Sequence, residues 1–109
     1  MSADVPLNEV VYFEGLSHTN TGAVGDADST PTFEVFEEST ATDIGVGGNM
    51  TKRGSKTGDY YGSFTANAAN GFELGKFYSV IGSATIGGIV CKGVLKEFRI
   101  VAAEAVAGV

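Results

Sequence analysis

Glycine occurs sixteen times in this 109-residue chain, and its copies separate short runs of Val, Ile, Phe, Tyr and Thr. That alternation is the punctuation of strands and turns. Glycine supplies the positive backbone torsions of tight turns, while branched and aromatic residues fit a pleated, half-buried surface. The 3.6-residue apolar period of an amphipathic helix is nearly absent, so an all-β fold is expected. The length suits one core of ordinary domain size. A lone Cys91 offers neither an internal disulfide nor the Cys/His spacing of a zinc site, which leaves packing to hold the fold.

The segment from Glu9 to Leu16 carries Val10, Val11, Tyr12, Phe13 and Leu16 and reads as a strand buried on much of both faces, hence central in its sheet. Ser17 to Thr30 is rich in Asn, Asp, Gly and Ser and reads as a long polar loop ended by Pro31. Thr32 to Glu38 alternates, with Phe33 and Val35 on one face. Thr42 to Val46 is a strand weakened by Gly45, Gly47 and Gly48, followed by a short stretch at Met50 to Arg53. Asp59 to Ala66 places Tyr60, Gly62, Phe64 and Ala66 on one face. Asn67 to Leu74 permits a single helical turn and lets Phe72 or Leu74 plug the core. Two long strands, Lys76 to Ile86 and Ile89 to Val101, flank Gly87-Gly88, a strong two-residue hairpin signal. In the second of them Lys92 and Lys96 share the parity of Val90, Val94, Phe98 and Ile100, which predicts a bulge near Gly93. The expected architecture is an antiparallel Ig-like β-sandwich of about six to eight strands, with a small barrel as the alternative. Residues 1–8 are expected to form an N-terminal arm, 9–101 the sandwich and 102–109 a C-terminal tail.

Groups suited to catalysis are sparse. His18, the only histidine, falls in the turn-rich loop and reads as a solvated side chain. Cys91 lies inside a strand, where a free thiol acts as a small buried hydrophobe of raised pKa. Asp26 and Asp28 form a D-x-D pair without the rest of a calcium loop and read as a solvated turn. Glu37 and Glu38 are adjacent in a strand, point to opposite faces and cannot act as a carboxylate pair. Gly45 to Gly48 matches neither a P-loop nor a dinucleotide fingerprint. Asn49-Met50-Thr51 is a formal glycosylation sequon. The expectation is a non-enzymatic chain with no catalytic residue, cofactor or metal.

A formal net charge of −6 disfavours nucleic acid and anionic lipid as partners. No stretch approaches the roughly 20 continuous apolar residues of a membrane helix, and MSADVPLNEV does not read as a secretory signal. Lys52, Arg53 and Lys56 form the only basic cluster. It suits a solvated hairpin tip or rim contacts with an acidic partner surface.

One stretch carries a family likeness. Asp59-Tyr60-Tyr61-Gly62-Ser63-Phe64, then Asn70-Gly71-Phe72-Glu73-Leu74-Gly75-Lys76-Phe77-Tyr78-Ser79-Val80, the Gly87-Gly88 hairpin and the ending Phe98-Arg99-Ile100 resemble the small Ig-like domains of tailed-phage virion proteins. The likeness spans roughly residues 59 to 100. It implies a virion structural role, and the short chain suggests a capsid decoration (cement) protein that stabilises the head lattice. Such a protein would be made in the host cytoplasm and reside on the capsid surface, as a homo-oligomer bound to the major capsid protein or other virion proteins. The alternatives are a tail, neck or baseplate protein, or a glycan-binding Ig-like module using Tyr60, Tyr61 and Tyr78 as platforms. The candidate partner interface comprises Val5 and Leu7 in the arm, Lys52 and Arg53 in the basic cluster, and Val106 and Val109 in the tail.

Overall fold

A computed structural model describes residues 3–19 and 21–102. These form β1 (Ala3–Pro6), β2 (Val10–Leu16), β3 (Thr32–Glu37), β4 (Thr42–Asn49), β5 (Thr51–Lys52), β6 (Asp59–Thr65), β7 (Phe77–Ile86) and β8 (Ile89–Val101), with one 3₁₀ turn at Ala68–Asn70. A five-stranded sheet in the order β1-β8-β7-β3-β4 packs on a three-stranded sheet in the order β2-β6-β5. The chain is thus an all-β, two-layer sandwich, as its strand and turn pattern requires.

The inward faces follow the period-2 reading. Phe33 and Val35 from β3, Tyr78 and Val80 from β7, and Phe98 and Ile100 from β8 are buried. They meet Val11 and Phe13 from β2 and Tyr60 from β6. Phe72, on the connection after the 3₁₀ turn, is the expected plug, whereas Leu74 is exposed. Its ring centroid lies 4.8 Å from that of Tyr78 and 5.5 Å from that of Phe64. The turn that delivers it is closed by Asn67, which accepts from the Asn70 amide, and by Gly71, which is left-handed at φ 96°. Burying each such aromatic contributes roughly 1.5–3 kcal/mol, and edge-to-face pairs add about 0.5–1.5 kcal/mol each.

The hairpin also forms as expected. Gly87 and Gly88 take φ of 59° and 81°, and Ile86 pairs with Ile89 across them. Positive φ at both central positions is the turn that matches strand twist. The bulge falls at Leu95, two residues beyond Gly93, because Val80 pairs with Lys96 and Ile81 with Val94. Beyond it the parity is reset, so Cys91, Gly93 and Leu95 face the other sheet while Val90, Lys92 and Val94 face outward.

Three expectations need correction. β2 is an edge strand with simple alternation: Val11 and Phe13 are buried, and Val10, Tyr12 and Leu16 are exposed. Its five apolar residues serve two different surfaces. β4 runs through its glycines to Asn49, held on β3 by a ladder that shifts register between Glu34 and Phe36. The N-terminal segment is no free arm. Ala3–Pro6 pairs in parallel with Phe98–Val101, and its Val5 side chain reaches the core.

Candidate interaction surface

The loop between β2 and β3 closes one end of the sandwich, and its two aspartates hold it there. Asp26 accepts from the Gly58 amide at 2.7 Å and from Lys52 Nζ at 2.8 Å. The Lys52 bond, then the Gly58 bond, holds its carboxyl below the usual range, and Asp26 in turn raises the Lys52 ammonium. Asp28 accepts from the Gly87 and Gly88 amides at 3.2 and 2.9 Å, and its own amide donates to the Thr85 carbonyl. The D-x-D pair thus clips the loop to two turns, one in each sheet. A sequence cannot display that pairing, since the partners lie 26 to 60 residues away.

Beside this loop the two sheets part along one flank. The inward faces of β7 and β8 there are small, and with Gly15 of β2 they enclose an apolar cleft of about 300 Å³ lined by Gly15, Gly82, Ala84, Cys91, Gly93 and Leu95. Leu95 closes its inner end. A Cβ on Gly15 would lie 2.9 Å from one Leu95 methyl and a Cβ on Gly82 2.7 Å from the other, so a side chain at either position would make the bulged leucine shift. Lys96, next along, donates from Nζ to the Tyr12 carbonyl at 3.2 Å and ties the edge of β8 to the edge of β2. From that tie outward the flank is open.

The open flank is bounded by a free strand edge. Among the described residues, β1 covers β8 at Phe98–Val101, and Ile89–Glu97 pairs with β7 on one side alone. Among the described residues no backbone hydrogen bond reaches its other side. Unpaired amides and carbonyls in a row are a template for another strand. Ile89, Val90 and Val94 on this edge are 62%, 61% and 58% exposed, and Lys92 is the one charge among them.

The residues singled out from sequence do not form one surface. Val5, at 8% exposure, is a core residue, and Leu7 packs against that core while its amide donates to Val101, so neither presents a free apolar arm. Parallel pairing with β8 gives the segment a partner inside its own chain. Lys52 and Arg53 lie at the opposite end and are already engaged. Lys52 pairs with Asp26, and Arg53 with Glu14 and Asp59 while lying 4.7 Å from the Tyr61 ring centroid. Val106 and Val109 lie outside the described residues.

Cys91 is exposed, contrary to the expectation of a buried thiol, because the sheet it faces parts from β8 around the cleft. His18 sits in the loop in a bridge with Val24 and lines the same cleft. Tyr60 and Tyr78 are buried, which leaves Tyr61 alone of the three proposed platforms; Tyr12, at 68%, is the most exposed of the large apolar side chains. Glu37 and Glu38 do point apart. Glu37 is buried and accepts from Ser39 Oγ and the Thr40 amide, which lower its pKa to about 2, with Lys76 Nζ a further 3.6 Å away. Glu38 accepts from Ser79 Oγ. Among the described residues no three His, Cys, Asp or Glu side chains converge to hold a metal, and no helix is long and apolar enough to cross a membrane.

The cleft that Gly82, Ala84, Cys91, Gly93 and Leu95 line is therefore what the sequence alone does not display. The parity conflict around Gly93 was the available signal. Compared with known proteins, the chain matches no family model, no curated protein and no solved structure.

Proposed function

We propose that this chain is a docking domain rather than an enzyme, and specifically a structural protein of a tailed-phage virion that decorates the capsid and stabilises its lattice. The observation that carries the docking reading is the open β8 edge, Ile89–Glu97, running beside an apolar cleft between the sheets. An extended segment added to such an edge gains main-chain hydrogen bonds from the strand and specificity from the pocket beside it. The virion assignment draws on the resemblance of residues 59–100 to Ig-like virion domains. The aromatic strand and connection that carry it, Phe64, Phe72 and Tyr78, are here the packed end of the core.

A sandwich that packs its own core leaves its edges and loops for contacts with neighbours. The acidic balance of the chain, −6, keeps unassembled copies apart from nucleic acid while leaving short-range docking intact. The glycan-binding alternative loses support from the burial of Tyr60 and Tyr78.

The test is to mix the purified chain with expanded capsid shells of the phage that encodes it. Co-sedimentation and a higher shell melting temperature are expected. Absence of binding at every salt concentration would overturn the decoration reading, and recovery of the chain from separated tails rather than heads would transfer it to the tail, neck or baseplate.

A further inference from the structure

The cleft and the open edge of β8 admit a single extended strand, and we infer that the strand is supplied by residues 102–107 of a second copy of this chain. The inference rests on the reading of this flank as a docking site and names its occupant.

The pattern of Ala102-Ala103-Glu104-Ala105-Val106-Ala107 fits the flank in one antiparallel register, with Ala103 opposite Gly93 and Ala105 opposite Cys91. Directly opposed residues in antiparallel strands share a face. Ala103 and Ala105 therefore turn toward the cleft lined by Gly82, Ala84 and Gly93. Glu104 falls opposite Lys92 and Val106 opposite Val90, both on the outward face. Among the described residues Lys92 takes part in no ion pair, and Val90 is 61% exposed. Charge and apolar character thus match residue for residue in that register.

The donor has to be another molecule. Val101 is eight residues from Gly93 along β8, about 26 Å at ~3.3 Å per residue. Ala103 follows Val101 by two residues and cannot reach Gly93 of its own strand. In addition, β1 occupies the edge of β8 from Phe98 to Val101, between the strand's end and the open stretch. Each copy therefore gives a strand at one end and accepts one on its flank. Such head-to-tail contacts close into rings or extend around a lattice.

The register makes a chemical test possible, because Cys91 is the only cysteine. Opposed Cα atoms in an antiparallel pair lie about 4.5–5.5 Å apart, within disulfide range. Ala105→Cys oxidised with diamide is expected to give an intermolecular 91–105 bond, identified by mass spectrometry of the linked peptides. In Cys91→Ser/Ala105→Cys only 105–105 links remain possible. Light scattering of the unmodified full chain at about 100 μM is expected to give a multiple of the 11.2 kDa monomer. Ala105→Pro should return it to the monomer, because proline removes a ladder donor.

Glu104→Lys should weaken association about two- to fivefold by setting like charges opposite each other, and Lys92→Glu/Glu104→Lys should restore it. A chain that is monomeric at that concentration, or an oligomer without the 91–105 link, would overturn the inference. If that chain still binds capsid shells, the docking reading stands and the occupant is a shell subunit. Failure of shell binding by a linked oligomer would instead remove the decoration reading alone.

Discussion

The two ends of the sandwich are built on opposite plans. At the end reached by the 3₁₀ turn, Phe64, Phe72, Tyr78 and Phe98 pack as a cluster with centroids 4.8 to 6.0 Å apart, and the Tyr78 hydroxyl accepts from the Glu73 amide at 2.9 Å. At the hairpin end the same two long strands present Gly82, Ala84, Cys91 and Gly93, and the sheets part around a cleft. One end fills the space between the layers with side chains, and the other leaves a cleft. Stability is concentrated where the rings are, so the free edge and cleft can exist without unfolding the domain.

Substitutions at the two ends should separate these roles. Phe72→Ala, at the packed end, should cost about 3–5 kcal/mol and give the largest fall in thermal melting temperature. Leu95→Ala, at the inner limit of the cleft, should cost less than Phe72→Ala and enlarge the cleft, seen as greater uptake of an apolar dye such as ANS by the folded protein. If the two cost the same, the ends are not energetically distinct.

Glu37 provides a pH readout of the packed end's neighbourhood. Its folded pKa is depressed from an ordinary 4.5 to about 2, chiefly by the Ser39 hydroxyl and then the Thr40 amide. A depressed carboxylate contributes stability that is fully present above about pH 4.5 and is lost as pH falls toward about 2. Glu37→Gln should flatten that part of the acid-unfolding curve relative to the unmodified chain.

The smallest global effect is expected at the open end. Asp28→Ala frees the Gly87 and Gly88 amides, so hydrogen exchange should speed at the hairpin tip while the amides of Tyr78 and Val80 keep their protection. Equal acceleration at both places would show that the tip and the core open as one unit.

Much of the architecture was legible because its signals are local. The Gly87-Gly88 turn, the alternation of Phe33 and Val35, the single turn at Ala68–Asn70 and the plug role of Phe72 all depend on residues within a few positions of one another. The misread parts share a different property. Val5 reads as an arm residue because its partner strand, Phe98–Val101, lies at the far end of the chain. β2 reads as a central strand because apolar residues on both faces look alike whether they are covered or exposed. Cys91 was expected inside because a strand residue on the inward face is usually covered, and here the covering layer parts.

By itself the sequence determined the all-β class, the positions of its turns and the absence of helical periodicity, since turn torsions and period-2 alternation are set by neighbouring residues. Only the tertiary structure decided which strands became edges and where the layers separate. The open flank exists because a bulge at Leu95 turns one side chain between Gly15 and Gly82 while β1 covers β8 only from Phe98 onward, and the Gly15–Leu95 contact and the Ala3–Phe98 pair join residues 80 and 95 positions apart. Long-range pairing of that kind depends on the packing of the whole chain, and no short window of sequence contains it.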